Sequence, residues 1–429
     1  MKEKILFVST RELCYYSGSY FLKSMCDAIN SLGDIEAEYV RMYEEEDFVA
    51  FMDRVGQKYK AVVDVNSKLP YMILEDDTRL LDKMEVPFYN YILDHPLYHH
   101  PGLAFPLNNY HAIGIDKCHV SYMSENYNHL KSVDYLPIGV ETSEEFIDYD
   151  KRGINLLIPG TYEDVGGICY DFKKLCQGLS EGRHDINYGG NYKRRQDLKD
   201  IKLSAHGLDF YNLGMAVAEE MLAEPDDLPA EPDDLRRGLN QGKTNRHERT
   251  MESCVRKLVS ENDLREGKYF TSDFPVLMNY LYLIDKYVRN VHRKMVAEEL
   301  VKNKISVTIA GAGWEMTDLG DYNKANYLGQ IDISDTHRLM ENAKAVLDVN
   351  PLFVDGRHDR VSSAVTAGAY VISDMAGGNY NIWQLDKMIQ EIQLPDDKKE
   401  AEARKNYKQC KDKYSWEAHA ANLLNILKD

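Results

Sequence analysis

The chain has 429 residues, 44% of them hydrophobic, and a formal net charge of −18. This length predicts two or three domains, and the acidic balance would repel nucleic acid and anionic lipid, so neither is expected as a main partner. No stretch approaches the roughly 18 apolar residues of a membrane span, and the N-terminal run ILFV is too short for a signal peptide. Seven cysteines without a CxxC motif indicate reduced thiols. We therefore expect a cytoplasmic protein without a zinc site.

The first 150 residues show the alternating strand and helix pattern of an α/β domain. The first strand is followed by a glycine-containing loop and an amphipathic helix, which we expect to begin at Ser19 and to end at Gly33. YHAIGIDKCHVSYMSEN predicts two short strands around a turn. The clearest strands are KILFVST, IEAEYVRM, YKAVVDVNS and VPFYNYILDHP. Residues 1–150 are therefore expected to form one Rossmann-like domain.

Residues 151–400 are expected to form a second Rossmann-like domain that carries a helical insertion at about 165–300. Strand patterns open this domain at GINLLIPGTYED and return at ISVTIAGAGWE, NYLGQID, AKAVLDVNP and YVISD. The insertion contains AEPDDL twice, a polar repeat for which we predict a loop. The last 34 residues, DDKKEAEARKNYKQCKDKYSWEAHAANLLNILKD, are helical in pattern throughout, and 401–429 is expected to be a separate C-terminal helix.

The cleft between the two halves is the expected ligand site, because parallel α/β sheets bind ligands at the carboxyl ends of their strands. The stretch VDGRHDRVSSAVTAGAYVISD follows a strand that ends near Asn350, and its small residues predict a helix from Val361 to Gly368. Residues 356–362 would then lie at a helix N-terminus. Free backbone N–H groups and the helix dipole favour an anion at such a position.

Side chains of the same stretch could complete an anion site. His358 and Arg360 would add cationic donors, Ser362 and Ser363 would add hydroxyls, and Gly356 would let the backbone come close. Several donors on one short loop are what a diphosphate needs. The alternative is a solvated turn in which the two acids of the stretch pair with its arginines.

Two further glycine turns follow strands of the second half. GAGWE places Gly313 beside the flat ring of Trp314, and PGTYED contains Gly160 and Tyr162. Glycine would let the backbone approach a ligand in both turns. Ordinary tight turns, with the tryptophan packed in the core, are the alternative.

In the first half, LDHPLYHH follows a strand. Asp94 and His95 are adjacent there, and a His–Asp pair can serve as a general base for a hydroxyl. The alternative is a structural histidine. His99 and His100 are expected on the surface, and their spacing fits no common metal site.

The loop after the first strand, STRELCYYSGS, is expected to face the same cleft. Ser17 and Gly18 lie at the predicted helix start. They could contact an acceptor substrate or merely turn the chain.

Several of these segments together resemble a known family. GINLLIPGTY, IDKYVRNVHRKMVAEELVKNKISVTIAGAGW, YLGQIDISDTHRLMENAKAVLDVNP and GRHDRVSSAVTAGAYVISD, in this order, look like the C-terminal half of bacterial glycosyltransferases of the spore-maturation-protein type (CgeB-like, glycosyl transferases group 1). ILDHP, AIGIDKCHVSYMSE and YLPIGVE resemble the N-terminal domain of Firmicute homologues. The resemblance implies an α/β protein of the GT-B fold, with two Rossmann-like domains facing across a cleft and the last helix crossing back to the first domain.

The resemblance also implies roles for individual residues. The loop with His358 and Arg360 would meet the diphosphate of a nucleotide-sugar donor, Trp314 would lie near the donor, and Gln330 and Ile331 would lie near its base. The complete set of donor-binding residues expected in this way is Gly160, Tyr162, Gly313, Trp314, Gln330, Ile331, Asn350, Gly356, His358, Arg360, Val361, Ser362 and Ser363.

One departure from the family pattern concerns stereochemistry. Many retaining relatives carry Glu-x7-Glu across this loop, and the two positions are Asp355 and Ser363 here. Asp355 could still lie beside the donor sugar, but a serine alters the contact to the ribose. If the enzyme inverts instead, it needs a base, and Asp94 or His95 is the leading candidate.

The sequence therefore predicts a glycosyltransferase that moves a sugar from a nucleotide-diphosphate donor, with UDP-sugars favoured, to a hydroxyl of a protein, polysaccharide or small molecule. We expect no cofactor and no essential metal, and a homo-oligomer is left open. A nucleotide-sugar epimerase or hydrolase, and a non-catalytic nucleotide-sugar-binding module of a glycosylation complex, are the alternatives.

Overall fold

The computed structural model describes residues 2–13, 16–181, 201–224, 250–375 and 378–427. Most of the predicted AEPDDL loop lies outside these ranges. Six strands form a first parallel sheet in the order β2-β1-β3-β4-β5-β6, and five form a second parallel sheet in the order β11-β10-β7-β8-β9. The strands are β1 (Lys4–Ser9), β2 (Glu36–Arg41), β3 (Ala61–Val65), β4 (Phe88–Ile92), β5 (Tyr110–Gly114), β6 (Ser132–Tyr135), β7 (Ile154–Pro159), β8 (Val307–Ala310), β9 (Ala325–Gly329), β10 (Ala343–Asp348) and β11 (Tyr370–Ser373).

Helices connect the strands in both halves. In the first half they are α1 (Ser17–Leu32), α2 (Glu45–Met52), α3 (Leu80–Met84), α4 (His100–Leu103) and α5 (Lys117–Asn126). In the second half they are α6 (Val165–Ser180), α7 (Ala205–Leu222), α8 (Met251–Leu258), α9 (Glu261–Arg265), α10 (Phe274–Tyr280), α11 (Tyr282–Lys302), α12 (Ile333–Glu341), α13 (Asp359–Thr366), α14 (Leu385–Ile392), α15 (Asp396–Tyr414) and α16 (Trp416–Ile426).

Three local predictions were wrong. The second predicted strand of YHAIGIDKCHVSYMSEN is helix α5, because Asp116 caps it by accepting hydrogen bonds from Cys118 N and His119 N. Helix α1 begins at Ser17 rather than at a Ser19 cap, although Gly33 does end it with a φ of 80°. The final segment is two helices, because the Ser415 hydroxyl accepts from Ala418 N and starts α16.

The last helix packs on the first half of the chain. Trp416 and Leu423 of α16 share a buried cluster with Phe21 and Met25 of α1. Gly139 lies under the Trp416 ring, where an added Cβ would come within 2.7 Å of it. A C-terminal helix that crosses from the second Rossmann-like sheet to the first is a feature of the GT-B fold, and the predicted fold class is confirmed.

The helical insertion α6–α11 also contacts both halves. One buried cluster joins Leu6 and Phe88 of the first sheet to Phe172 of α6 and Ile284 of α11. Asn279 of α10 donates a 2.6 Å hydrogen bond to the carbonyl of Leu97. The insertion therefore forms a wall along one side of the cleft. No helix among the described residues is long and apolar enough to cross a membrane.

Sheet topology fixes where the two halves present their loops. The strand order reverses between β1 and β3 in the first sheet and between β7 and β10 in the second. At such a reversal the two following loops separate and leave a crevice at the carboxyl ends of the strands. Both crevices are therefore the places to look for a site.

Candidate functional site

In the second half, Arg360 occupies the crevice between β7 and β10. Its Nη1 donates a 2.9 Å hydrogen bond to the carbonyl of Pro159 and lies 3.2 Å from the buried carboxylate of Asp348. Gly160 has a φ of 124°, and a Cβ there would come within 2.9 Å of the Arg360 guanidinium. The structure therefore brings together two residues that the sequence analysis singled out, and glycine is needed at position 160.

Two further arginines lie beside Arg360, both on helix α11. Arg293 Nη1 donates a 2.6 Å hydrogen bond to the carbonyl of Thr161. Burial, followed by the charges of Arg360 and Arg289, lowers the pKa of Arg293 to about 9. Because arginine keeps its proton in proteins, Arg293 is a buried cation with a second cation, Arg360, near it. A buried cation favours a bound anion as its partner.

Arg289 is held between the two halves. It lies 2.8 Å from Asp285 on the same helix, and it donates to the hydroxyl of Tyr98, which belongs to the first half. The Tyr98 hydroxyl donates in turn to Asp285. These contacts fix the arginine at the cleft. Sequence reasoning missed Arg289 and Arg293, although their i, i+4 spacing on one face of a predicted helix was a readable signal.

The N-terminus of α13 is built by His358. Its Nδ1 accepts from the backbone N–H of Arg360, 3.2 Å away, and lies 2.9 Å from the carboxylate of Asp359. Burial disfavours the charged form of Asp359, but His358 and Arg360 outweigh it and lower its pKa to about 2. The acid therefore lies beside the capping histidine, and the Arg360 guanidinium remains at the strand ends.

Arg357 points away from the arginine cluster. Its Nε donates a 2.6 Å hydrogen bond to the hydroxyl of Ser362, and its guanidinium stacks on Tyr414, 3.4 Å from the ring centroid. Ser362 and Val361 are buried. The two residues thus support the loop from behind.

Asp355 and Gly356 form a contact between the two halves. Asp116, fully buried at the start of α5, accepts hydrogen bonds from the backbone N–H groups of Val354 and Asp355 at 2.8 and 2.9 Å. A Cβ at Gly356 would come within 2.6 Å of the carbonyl of Ile115. The Asp355 carboxylate lies 3.2 Å from Lys117. Gly356 is therefore needed for this contact, and Asp355 is engaged by a lysine of the first half.

The turns around Trp314 are tightly packed against each other. Trp314 is 1% exposed, and its Nε1 donates a 2.7 Å hydrogen bond to the carbonyl of Gly160. Tyr162 is buried against the tryptophan, and a Cβ at Gly313 would lie 1.9 Å from the carbonyl of Tyr162. The indole faces are therefore filled by protein. Trp314 supports the Gly160 turn but offers no surface for stacking.

The remaining predicted donor residues differ in position. Asn350 is buried and shapes its own turn, with Nδ2 donating to the carbonyl of Phe353 at 2.8 Å. Gln330 is exposed and Ile331 packs against the core beneath α12. Ser363 lines a narrow pocket between the halves.

That pocket adjoins the arginine cluster. Its walls come from α1, from the segment 139–141, from one side of α12 and from the first turn of α13. They include Tyr20, Glu141, His337 and Ser363. The Nδ1 atom of His337 is buried and has no hydrogen-bond partner among the described residues. The pocket therefore presents hydroxyl and acceptor groups next to Arg360.

In the first half, Asp94 lies at the carboxyl end of β4 with its side chain 51% exposed. Asn66 Nδ2 donates a 3.1 Å hydrogen bond to its Oδ2, and His99 Nε2 lies 3.7 Å from the same oxygen. Partial burial opposes ionisation of Asp94, but the interaction with His99 and the charges of Arg289 and Arg11 hold its pKa well below its usual range. This carboxylate is therefore ionised.

The predicted Asp94–His95 pair does not form. His95 Nδ1 accepts from the backbone N–H of Leu97 at 3.1 Å, and its Nε2 lies 2.8 Å from Glu252 of the insertion. Both ring nitrogens are used in structural contacts. His99, which was expected on the surface, has a side chain only 9% exposed and is the histidine that faces Asp94.

The start of α1 is closed by the chain itself. The Glu12 carboxylate accepts from the backbone N–H groups of Leu13 and Ser19 and from the Ser19 hydroxyl. A Cβ at Gly18 would come within 3.1 Å of the carbonyl of Arg11. Ser17 and Gly18 therefore lie where the loop folds onto the helix. Within the described ranges, no group of three or more metal-ligating side chains is found.

No protein-family model matches the chain, and no curated protein matches its sequence. Among solved structures, T4 phage BGT in complex with UDP and Mn²⁺ is 10% identical, with 99% of each chain covered and a TM-score of 0.47. A glycosyltransferase from Rickettsia africae is 10% identical, covering 100% of this chain and 98% of that one, with a TM-score of 0.42. A UDP-forming α,α-trehalose-phosphate synthase from Burkholderia xenovorans is 10% identical, covering 100% and 99%, with a TM-score of 0.39.

Proposed function

We propose that the protein is a glycosyltransferase that moves a sugar from a nucleotide-diphosphate donor to an acceptor hydroxyl, with UDP-sugars as the first donors to test. One observation carries the proposal. Arg289 of the second half donates to Tyr98 of the first half, and the loop that carries Tyr98 also carries the half-exposed carboxylate of Asp94, so the arginines and this carboxylate line the same cleft. The finer assignment to the spore-maturation-protein type, in the bacterial cytoplasm, has the sequence resemblance alone as its support.

The arginine cluster suits a leaving diphosphate. Arg293 and Arg360 converge at the Gly160 turn, and the N-terminus of α13 adds the positive end of a helix dipole. Cationic donors fixed in advance stabilise the charge that develops as the sugar–phosphate bond breaks. In this proposal they do so without a metal. The narrow pocket beside Arg360 would receive the nucleoside, and it would have to widen by separation of its walls.

Asp94 is the general base in this proposal, because it is ionised and half-exposed at the cleft, although its lowered pKa makes it a weaker base than an ordinary aspartate. Its Oδ1 would take the proton of the acceptor hydroxyl while the acceptor oxygen bonds to the anomeric carbon. The bond from that carbon to the phosphate oxygen breaks, and the nucleoside diphosphate leaves with the electron pair. A base on the face opposite the leaving group produces inversion. His95 has no free nitrogen for this step, because both nitrogens are engaged.

A nucleotide-sugar hydrolase is the second candidate. It requires a cleft carboxylate in the first half, and Asp94 is such a group. Water would then replace the acceptor hydroxyl in the same step. Product analysis separates the two functions, since a hydrolase releases free sugar at the same rate whether or not acceptors are present.

The test is ligand binding by wild type and matched variants. UDP should stabilise the wild type in a thermal-shift assay and bind more tightly than UMP or uridine, because the diphosphate meets the arginines. Arg293→Gln and Arg360→Gln should each weaken UDP binding by about 10- to 100-fold, as expected for losing a charged hydrogen bond. Arg338→Gln, an exposed arginine of α12, is the control and should leave binding unchanged.

Two results would overturn the proposal. The first is a folded wild type that gains no stability from any nucleotide or nucleotide-sugar at about 1 mM. The second is equal binding of UDP by wild type, Arg293→Gln and Arg360→Gln.

A further inference from the structure

We infer that Asn66 is a positioning residue for Asp94. His99 also faces the Asp94 carboxylate, and Arg11 contacts His99. The inference rests on the proposed function, because it assumes that Asp94 is the base. Asn66 directly follows β3, and Asp94 closely follows β4, the neighbouring strand. The two side chains therefore meet at the same edge of the sheet.

The hydrogen bonds of Asn66 fix its amide without ambiguity. Its Oδ1 accepts from the backbone N–H of Leu93 at 3.0 Å, so Nδ2 must be the group that reaches Asp94 Oδ2 at 3.1 Å. One side chain thus ties both the backbone before Asp94 and its carboxylate. The 93–94 turn cannot shift without breaking one of these bonds.

His99 reaches the same carboxylate oxygen. Its Nδ1 lies 3.5 Å from Arg11 Nη2, which can only donate, so the ring proton belongs on Nε2, 3.7 Å from Asp94 Oδ2. Both neighbours therefore approach Oδ2. Among the residues that the structure describes, none donates to Oδ1 of Asp94. That oxygen is free to receive the proton of an acceptor.

The backbone of Asn66 is a second and independent observation. Its φ is 48°, in the left-handed region, and the residue is buried. Glycine would adopt this conformation without a Cβ penalty, whereas asparagine adopts it at some cost. The asparagine side chain adds the two hydrogen bonds that glycine cannot make. Backbone strain of this kind clusters at functional sites.

The surroundings hold Asn66 in this conformation. Asp64, fully buried in β3, accepts from the hydroxyls of Thr10 and Ser67, each at 2.5 Å. The loops after β1 and β3 are thereby joined on either side of the crevice. Asn66 N also donates to the carbonyl of Tyr91 at 3.0 Å. The residue is fixed by its neighbours rather than by a ligand.

The experiment compares Asn66→Gly and Asn66→Asp with wild type and with Lys304→Gly. Lys304 is an exposed residue with a φ of 57°, so its glycine variant relieves similar strain far from the cleft. The readouts are UDP affinity by calorimetry and the pH profile of UDP release from the nucleotide-sugar that the thermal-shift assay selects, with water as the acceptor.

Asn66→Gly should bind UDP like the wild type and remain folded, while kcat/KM falls about 10- to 100-fold because the base is misplaced. Asn66→Asp keeps the shape and the bond to Leu93 but sets two carboxylates side by side. The neighbouring carboxylate should raise the pKa of the base. The pH below which kcat/KM falls should therefore be higher in Asn66→Asp than in the wild type, by about one unit or more. Lys304→Gly should match the wild type in both readouts.

The inference fails if Asn66→Gly keeps kcat/KM within about twofold of the wild type, or if Asn66→Asp loses rate without any change in the shape of the pH profile. The proposed function fails differently, through a wild type that binds no nucleotide.

Discussion

The two edges of the cleft, one in each half of the chain, have the same backbone elements but different side chains at their helix N-termini. Each has a strand, a loop and a helix N-terminus, at α1 in the first half and at α13 in the second. At α1 the chain supplies its own anion, the Glu12 carboxylate, with Tyr43 as a further donor. At α13 the neighbouring side chains include two arginines, Arg360 and Arg293, with Asp348 lying 3.2 Å from Arg360 and Asp359 in the first turn of the helix.

A sequence pattern of strand, glycine loop and helix therefore locates a helix N-terminus. The pattern does not show whether a side chain of the protein already occupies it or a ligand could bind there. Glu12 makes the first edge a structural joint. The chemistry of that edge comes instead from Asp94, at the end of a different strand. In the proposed function the two edges have different roles. The second edge would bind the donor, and the first would activate the acceptor.

Asp94→Asn gives the largest expected effect and tests this division. Removing the base should lower kcat about 10²- to 10⁴-fold, the usual contribution of general base catalysis. UDP affinity should stay within a few-fold of the wild type, since Asp94 is not placed on the diphosphate. Steady-state kinetics and calorimetry on the same samples measure both. Asp335→Asn, an exposed acid on α12, is the control.

The arginine variants should show the opposite pattern, with weakened UDP binding. If Asp94→Asn and Arg293→Gln lose affinity and rate in the same proportion, the two edges do not have separate functions.

Much of the fold could be predicted from the sequence because it depends on local pattern. Continuous apolar runs such as KILFVST and AKAVLDVNP mark buried parallel strands, and Gly33 marks a helix end. Helix α5 was missed because its capping aspartate, Asp116, was read as part of a turn. Its buried positions His119, Tyr122 and Met123 have helical spacing, and this spacing could have indicated the helix.

Site residues could be predicted only where the signal for them lies within one short segment of the sequence. Arg360 and Gly160 were found from their own loops, but their contact joins residues 200 positions apart. Asp94 was paired with its sequence neighbour His95, because no local rule shows that the adjacent side chains separate. The adjacency of β3 and β4 was needed to see that Asn66 reaches Asp94. The turns that contain Trp314 and Gly356 were predicted correctly, but the two residues make packing contacts within the protein.

Glu12→Gln tests the closed edge and has an intermediate expected effect. Burial disfavours the charged form of Glu12, but its hydrogen bonds from Ser19, Leu13 and Tyr43 outweigh it and lower its pKa. Loss of these charged bonds should reduce the free energy of unfolding by about 2 kcal/mol. Urea denaturation measures this, with Glu46→Gln in the exposed first turn of α2 as the control. UDP affinity should not change. Tighter UDP or phosphate binding would instead identify the start of α1 as a ligand site.

The smallest expected effect concerns His95, which is next to Asp94 but faces the insertion. Burial lowers the pKa of His95, yet Glu252 outweighs it and the net shift is upward. Burial disfavours the charged form of Glu252, but His95 outweighs it and lowers the pKa of Glu252 to about 2. The contact is therefore a hydrogen bond from His95 Nε2 to Glu252 that becomes an ion pair when His95 is protonated, and it is not part of the chemistry.

The sign of its pH dependence follows from the two shifts. Stabilisation through His95 is complete below its ordinary pKa of 6.5 and is lost as the pH rises through its higher folded value. Stabilisation through Glu252 is complete above its ordinary pKa of 4.5 and is lost as the pH falls towards about 2. The pair should therefore contribute fully between about pH 4.5 and 6.5.

Glu252→Gln keeps a hydrogen-bond acceptor for His95 Nε2 and removes only the charge. We expect a loss of about 1 kcal/mol near pH 5.5 that shrinks towards pH 8.5, measured as the difference in Tm between wild type and variant. Glu125→Gln, which removes an exposed ion pair with Arg256, should show little difference at either pH. A Tm difference for Glu252→Gln that stays constant or grows with pH would mean that His95 is neutral. It would then be a plain hydrogen-bonding residue, and the insertion would be held to the first half by packing and neutral contacts alone.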